Sequence, residues 1–321
     1  MCCDDSSLNR KEFTMLQSQQ ERVILSVYRN KSFTKAASEL GISQPALSAA
    51  INKIEKKMGI RIFERKQKPI QPTEEGMVLI DYLKKAHLEY ESCFNKIADI
   101  TQNKNRELAV GAPVMYTNTY LLDKIVKFNK KYPNCKMSVY NATLPELVDM
   151  CEEGMIDCFI CTYDKVEPDL AIEKVSTERI CLCVPKDWEI NERMKQYQIT
   201  VGEEANGNEI NWKEFSGLEM ISLMDNQPLQ KKINLFLQKE KVSTDRRMIV
   251  NQIIFGIELA AQGLGMIFCS EDTIKNCQNR EKLCIYPLPD YMAERNIYVA
   301  YNKNYYLSEM CNAFINTLKN S

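Results

Sequence analysis

A chain of 321 residues, 45% apolar and 26% charged, has room for two or three domains and the composition of an ordinary globular protein. No apolar run approaches the ~18–20 residues of a membrane span, the opening Met1-Cys2-Cys3-Asp4-Asp5 is polar and acidic, and 13 cysteines without a signal-like segment point to a reducing compartment, so a cytoplasmic protein with no membrane partner is expected. The net charge of −1 hides an asymmetry, with 13 Lys/Arg against 5 Asp/Glu over residues 10–70 and a net −7 over residues 71–321.

Residues 1–15 lack periodicity and read as an N-terminal tail. From Leu16, the positions Val23, Ile24, Val27 and Tyr28 follow helical spacing. A short helix spans Phe33 to Leu40, and Gly41 ends it with the backbone freedom a tight turn requires. Ser43 then caps a third helix that tolerates Pro45 in its first turn, carries Leu47, Ile51, Ile54 and Met58 on one side, and stops at Gly59. Residues 60–65 are predicted as a strand, followed by a basic, proline-punctuated loop over 66–72. Thr73 with Glu74 and Glu75 opens a long helix reaching about Thr101. Along it Ile80, Leu83, His87, Tyr90, Phe94 and Ile97 alternate spacings of three and four, a helix-packing seam expected to bury little within one chain and to meet a second copy. His87 is the sole histidine, so metal sites built on two histidines are ruled out and one possible imidazole base remains.

Beyond residue 107 strands and helices alternate. Strands are predicted over 108–111, 137–140, 156–161, 180–184, 219–223 and 266–269, with helices over 120–132, 144–153, 229–239 and 253–262. That alternation predicts α/β architecture with largely parallel sheets. Residues 186–216 are polar and weakly periodic, and read as a surface segment.

Two helices joined by a four-residue, Gly-containing turn form a helix-turn-helix, whose second helix can enter the major groove while nearby cations neutralise phosphates. The basic balance of residues 10–70 fits double-stranded DNA as the partner, although a solvated lysine-rich surface has the same composition. The residues are more specific than the pattern. Ser32-Phe33-Thr34-Lys35-Ala36-Ala37-Ser38-Glu39-Leu40-Gly41-Ile42-Ser43-Gln44-Pro45-Ala46-Leu47-Ser48 closely resembles the winged helix-turn-helix of LysR-type transcriptional regulators, and Ile51, Glu55, Gly59, Phe63, Arg65, Thr73 and Gly76 stand at the family's spacing. Tyr132-Pro133, 153–157 (Glu-Gly-Met-Ile-Asp) and 261–266 (Ala-Gln-Gly-Leu-Gly-Met) look like further landmarks of that family.

The resemblance implies a winged helix-turn-helix over 16–73 and a linker and dimerisation helix over 74–101. It also implies an effector domain over 106–321 that is similar to type 2 periplasmic binding proteins, with lobe one at 106–179 and 289–318 and lobe two at 180–288. It further implies a homodimeric or homotetrameric DNA-binding regulator, not an enzyme, modulated by a small-molecule effector between the lobes and needing neither cofactor nor metal. Three positions depart from the family pattern: Ala49 and Ala50 stand where many members carry Arg or another polar residue, and Cys269 stands where proline is usual.

The expected DNA contacts are Ser43, Gln44, Pro45, Ser48, Asn52 and Lys53 of the third helix, with Arg65, Lys66 and Lys68 in the wing. A Gln44–adenine pair discriminates by roughly 1–3 kcal/mol, whereas wing cations bind phosphate without reading sequence. For the effector, Thr117 and Asn118 are placed at the start of a helix, where free backbone N–H groups favour an anion. Thr143, Thr162, Ser222, Asp225 and Gln227 are candidates at equivalent loops, and the same residue types serve equally as caps and turns. No arginine falls in these loops, which argues against a carboxylate clamp. Cys158, Cys161, Cys181 and Cys183 lie on predicted buried strands, where a cysteine acts as a small hydrophobe; a thiol-sensing regulator of the same family is one alternative reading, and a cytoplasmic solute-binding or catalytic α/β protein whose basic N-terminus is incidental is the other.

Overall fold

The computed structural model describes residues 19–65, 68–101, 106–162, 168–203 and 209–319, so the tail over 1–15 and Lys66 lie outside the described residues. Three helices open the chain: α1 (Gln19–Asn30), α2 (Phe33–Leu40) and α3 (Gln44–Met58). Their ends are set locally. Ser32 accepts a hydrogen bond from Lys35 N and Ser43 from Ala46 N, while Gly41 and Gly59 close α2 and α3 at φ 67° and 70°. Ile24, Val27, Ala36, Leu47 and Ile51 interlock as the core of this domain. Met58 is not part of it: the last turn of α3 overhangs that core and leaves Met58 47% exposed.

The strand predicted over 60–65 contracts to β1 (Phe63–Glu64), which pairs antiparallel with β2 (Gln71–Pro72) to form the wing. The reason is Glu55. From α3 its carboxylate accepts Ile62 N at 2.8 Å and Phe63 N at 3.3 Å, so the amides that would extend a ladder bond to a side chain instead. The Thr73 hydroxyl accepts Gly76 N at 2.9 Å and starts α4 (Glu74–Ile100), a helix of 27 residues.

Half of the predicted seam of α4, Ile80, Leu83 and Phe94, is buried in its own chain, while His87, Tyr90 and Ile97 are half-buried. Ile80 and Leu83 complete the core under α1, and Phe94 is buried. Leu88 packs on Gly154, whose φ of +71° and missing Cβ allow the approach. Further along, Ser92 Oγ accepts Tyr306 N at 3.0 Å, and the Asp99 carboxylate accepts Glu309 N at 2.8 Å and pairs with Arg106 at 3.4 Å. These contacts fix α4 to its own domains at both ends. Its outward stripe is Val78, Tyr82, Cys93 and Ile100.

The remainder builds from β3 (Arg106–Ala112), a helical run comprising α5 (Val114–Tyr116), a π-helical turn (Thr117–Leu121) and α6 (Leu122–Lys131), then β4 (Cys135–Asn141), α7 (Leu144–Glu152), β5 (Cys158–Cys161) and β6 (Leu170–Pro185). There follow α8 (Ile190–Arg193), β7 (Glu219–Leu223), α9 (Pro228–Glu240), β8 (Asp245–Val250), α10 (Ile253–Ala261), β9 (Ile267–Ser270), α11 (Glu271–Lys275), β10 (Leu283–Pro287), α12 (Asp290–Ala293), β11 (Glu294–Asn302) and α13 (Glu309–Lys319). The main sheet runs β10-β6-β11-β5-β3-β4, with β9 also on β6 and β7–β8 as a separate pair.

The sheets are mixed rather than largely parallel. β3 is parallel to β4 and β5, and β7 to β8, as strand–helix–strand units require, but β6 pairs antiparallel with β9, β10 and β11, and β11 antiparallel with β5. These antiparallel strands carry the chain between two packed bodies. Lobe one has an apolar core on each face of its sheet, around Phe128 and Phe314 on one side and Leu147 and Phe159 on the other. Lobe two has a single core that includes Leu182, Phe236 and Ile257. The segment 186–216 belongs to that core: Ile190, Met194, Trp212 and Phe215 are buried, and the Trp212 ring packs edge-on against Phe236 at 5.0 Å. Its anchors are too widely spaced to show a period.

Gly76→Ala tests the joint between wing and linker. A Cβ there would stand 2.1 Å from Ile62 O, a backbone atom that cannot swing aside. The overpacking cost of about 1–3 kcal/mol should outweigh the ~1 kcal/mol helix gain from alanine. A lowered denaturant midpoint is the expected result.

Candidate nucleic-acid interface and interlobe site

Ser43, Gln44 and Pro45 are exposed at the start of α3, and Asn52 and Lys53 are exposed two turns further on. Gln44, Ser48 and Asn52 recur every four residues and so share one helix face. Ala49 is exposed beside them without a polar atom. Ser48 is half-buried, because its hydroxyl accepts Arg65 Nη1 at 3.0 Å. Arg65 stays exposed but is tied to α3 by this bond. Its Nη2 binds Glu55 at 3.1 Å and its guanidinium lies 5.1 Å from the Phe33 ring centroid, pinning the wing to α2 and α3. Lys68 is exposed in the wing.

The lobes join at two crossings. Residues 170–179 of β6 pair with β11, and residues 180–185 of the same strand pair with β9 and β10; the return runs from Pro287 through α12 into β11. Thr117 does not start a helix. Pro113 is the N-cap, and the Thr117 amide already donates to Pro113 O at 3.3 Å. Thr117 instead sits in the π-helical turn, half-buried, with its hydroxyl 2.5 Å from Asn141 Oδ1, and Asn118 is exposed next to it. Inserted π turns recur at functional sites. Thr162, half-buried, hydrogen bonds to the hydroxyl of Tyr116. Thr143 is a helix cap: its N–H and hydroxyl both bond the Glu146 carboxylate, at 2.8 and 2.7 Å, and these bonds hold that carboxyl below its ordinary pKa.

On lobe two, Ser222 is buried and accepts Arg246 Nε at 3.1 Å, Asp225 pairs with Arg246 Nη1 at 3.0 Å, and Gln227 donates to Asn251 O at 2.8 Å. An arginine thus does reach these loops. It comes from β8, a strand whose Asp-Arg-Arg opening reads as loop in the sequence.

A second group was not anticipated. Glu178 of β6, 3% exposed, receives two hydrogen bonds on one oxygen: Tyr116 Oη at 2.6 Å and Arg295 Nε at 2.6 Å. The Arg295 guanidinium lies 5.9 Å from the Tyr116 ring centroid. Burial, opposed by Arg295 and reinforced by Glu178, pushes the Tyr116 hydroxyl well above its ordinary pKa, so it stays a donor. Lys232 of α9 donates to Glu294 O from the other lobe. Burial first, and then the charge of Arg295, lower its pKa. No spacing rule joins residues 116, 178, 232 and 295; the only signal available was charge inside otherwise apolar stretches.

The strand cysteines are packed in the interior. Cys181, Cys183 and Cys269 place their sulfurs within 4.8 Å of one another, with Cys183 and Cys269 3.4 Å apart, and all three are fully buried. Burial pushes the Cys269 thiol up, as does bonding to Cys183 for Cys181. Raised pKa values suppress the thiolate that oxidants attack, so the packing opposes a thiol switch. His87 lines a cavity of about 150 Å³ with Arg22, Arg29, Lys84 and Glu153, where α1, α4 and the turn after α7 meet.

Known proteins share this arrangement. The family model described as LysR substrate binding domain matches residues 101–321, and that of the bacterial regulatory helix-turn-helix protein, lysR family, matches residues 18–77. A probable RuBisCO transcriptional regulator of Trieres chinensis is 25% identical over 94% of this chain and 97% of its own. Among solved structures, a full-length OxyR from Pseudomonas aeruginosa superposes with a TM-score of 0.68 at 17% identity, covering 94% of this chain and 93% of that one. Full-length CbnR complexed with its target DNA gives 0.60 at 14%, covering 94% and 98%. Matched from its helix-turn-helix through its two-lobed ligand domain, the chain belongs to the LysR family: it is a DNA-binding transcriptional regulator, and not an enzyme.

Proposed function

We propose that this regulator reads its operator with the exposed face of α3 and takes its signal from a small molecule seated between the two lobes. The observation that carries the DNA reading is the outward row of Gln44, Asn52 and Lys53 beside the exposed N-terminal Ser43 and Pro45. Gln44 pairs with an adenine edge, Lys53 and Lys68 neutralise phosphate, and Ser48 with Arg65 holds the wing in register rather than touching bases. Ala49 and Ala50 add no polar contact, which leaves base reading concentrated on few side chains.

The working units are residues 16–73 for DNA, 74–101 as linker and 106–321 as sensor, operating on cytoplasmic DNA. Lobe one comprises 106–179 and 289–318, and lobe two 180–288. Thr117, Asn118 and Thr162 face the ligand from lobe one and Ser222, Asp225 and Gln227 from lobe two; the ligand shifts the lobe arrangement by no more than its differential affinity. The protein acts as a homo-oligomer, dimer or tetramer, joined through the outward stripe of α4. Full-length relatives with the same linker-to-sensor order support this reading.

Selection from a random-sequence DNA library is the direct experiment. Gln44→Ala should relax preference at one position per half-site, and Lys68→Ala should weaken all sequences alike and reduce the salt slope by about one unit. An unchanged consensus for Gln44→Ala would remove it from the reading face.

Assembly is tested on the outward stripe. Tyr82, 65% exposed, should tolerate Asp in the monomer fold, so Tyr82→Asp is expected to shift sedimentation toward monomer with unchanged circular dichroism. Phe94→Asp buries a carboxylate inside the chain and should instead unfold the linker junction.

A further inference from the structure

The group around Glu178 is electrostatically incomplete. Arg295 and Lys232 bring two cations to a region where, among the described residues, Glu178 is the carboxylate bonded to Arg295, the exposed Glu294 carboxylate lies near Lys232, and Tyr116 holds its proton. The Arg295 side chain is only 10% exposed, and its Nη2 is buried with no hydrogen-bond partner among the described residues. A buried guanidinium donor left unpaired is costly, and natural structures rarely keep one. Lys232 adds to the imbalance: it is half-buried, and the backbone carbonyl of Glu294 that it bonds carries no charge. With Glu178 the buried carboxylate of the group and Glu294 an exposed one beside Lys232, the unsatisfied Nη2 of Arg295 is the position that a bound anion would complete.

We propose that Arg295 and Lys232 form an anion site at the lobe boundary, and that the small molecule between the lobes carries a carboxylate or a phosphate that binds there. This rests on the interlobe reading above. The anion accepts Arg295 Nη2 and faces Lys232 Nζ, while Glu178 keeps Nε and so fixes the plane of the guanidinium. Position gives the site its effect. Lys232 is carried by α9 of lobe two, Glu178 and Arg295 by the crossing strands, and Tyr116 by the helical run of lobe one. An anion bound by both cations ties α9 to β11, so it favours the arrangement in which the lobes meet.

The test is thermal unfolding of the full chain in sodium acetate, sodium benzoate or inorganic phosphate, each against sodium chloride at equal ionic strength, with acetamide and benzamide as neutral counterparts. A ligand that binds only the native state raises its stability with saturation. Acetate or benzoate should do so if the head group is a carboxylate, and phosphate if it is a phosphate; the amides should not. Lys232→Met should weaken the apparent affinity by about tenfold or more. Arg295→Lys keeps a charge opposite Glu178, and so the fold, and should lose the same effect. Stabilisation no greater than in chloride for all three anions, or equal in wild type and Lys232→Met, overturns the site. Stabilisation by benzamide that depends on Thr117 and not on Lys232 also overturns it, while leaving a ligand between the lobes. Stabilisation that needs Lys232 but leaves operator affinity unchanged upholds the anion site and removes the interlobe signal.

Discussion

The antiparallel pairing of β6 with β11, from Arg179 opposite Glu294 to Leu170 opposite Asn302, is the constraint on which both lobes depend. Lobe one completes its sheet on it through β5, and lobe two grows from the C-terminal continuation of β6 through β9 and β10. The ladder slips once, between Ile297 and Tyr298, so the two strands cross the boundary with a local twist rather than as a flat ribbon. Two strands in the middle of a sheet resist shear along their hydrogen bonds but permit bending across them. Relative lobe motion is therefore confined to few directions. The Glu178–Arg295 pair sits on adjacent positions of these very strands, so charge balance and bending are coupled where the freedom lies.

The path from sensor to DNA runs through α4. Asp99 and Ser92 fix its C-terminal half to the β11–α13 turn, Lys84 pairs with Glu153 at 3.1 Å in the middle, and Gly76 abuts Ile62 near its start. Glu153 pulls the pKa of Lys84 above its ordinary value despite burial, a sign that the pair is a firm contact. Glu55 then carries position from α3 into the wing by accepting two backbone amides and an arginine. Side chains with defined partners thus link lobe one to α3, with no loop of free length among the described residues between Thr73 and Thr101.

What was legible in the sequence is what forms locally. Ser43 and Thr73 cap helices because a hydroxyl three residues ahead of an amide suffices, and Gly41 and Gly59 stop them because αL geometry is a one-residue property. The domain motif was legible because its spacing is rigid. Nonlocal pairings were not. β10 and β11 stand outside the predicted strands, because each is fixed by neighbours about 100 to 140 residues away in the sequence. The same holds for the site. Thr117 was placed at a helix start because its neighbours alternate like a turn, but Pro113 begins the helix one turn earlier. Whether an apolar seam faces its own chain or a second copy is likewise decided by what stands opposite, and Ile80 and Leu83 found α1.

The distribution of thiols has a consequence of a different kind. Cys93 is exposed on α4, Cys135, Cys151, Cys158, Cys161 and Cys311 are sealed in lobe one, and Cys181, Cys183, Cys269 and Cys277 are sealed in lobe two. An alkylating reagent meets Cys93 at once, the half-buried Cys284 next, and these buried thiols only when their surroundings open, so each body carries its own clock of native-state opening. The crossing strands separate these two sets, and alkylation mapped by mass spectrometry can resolve which lobe breathes first without adding any label to the chain.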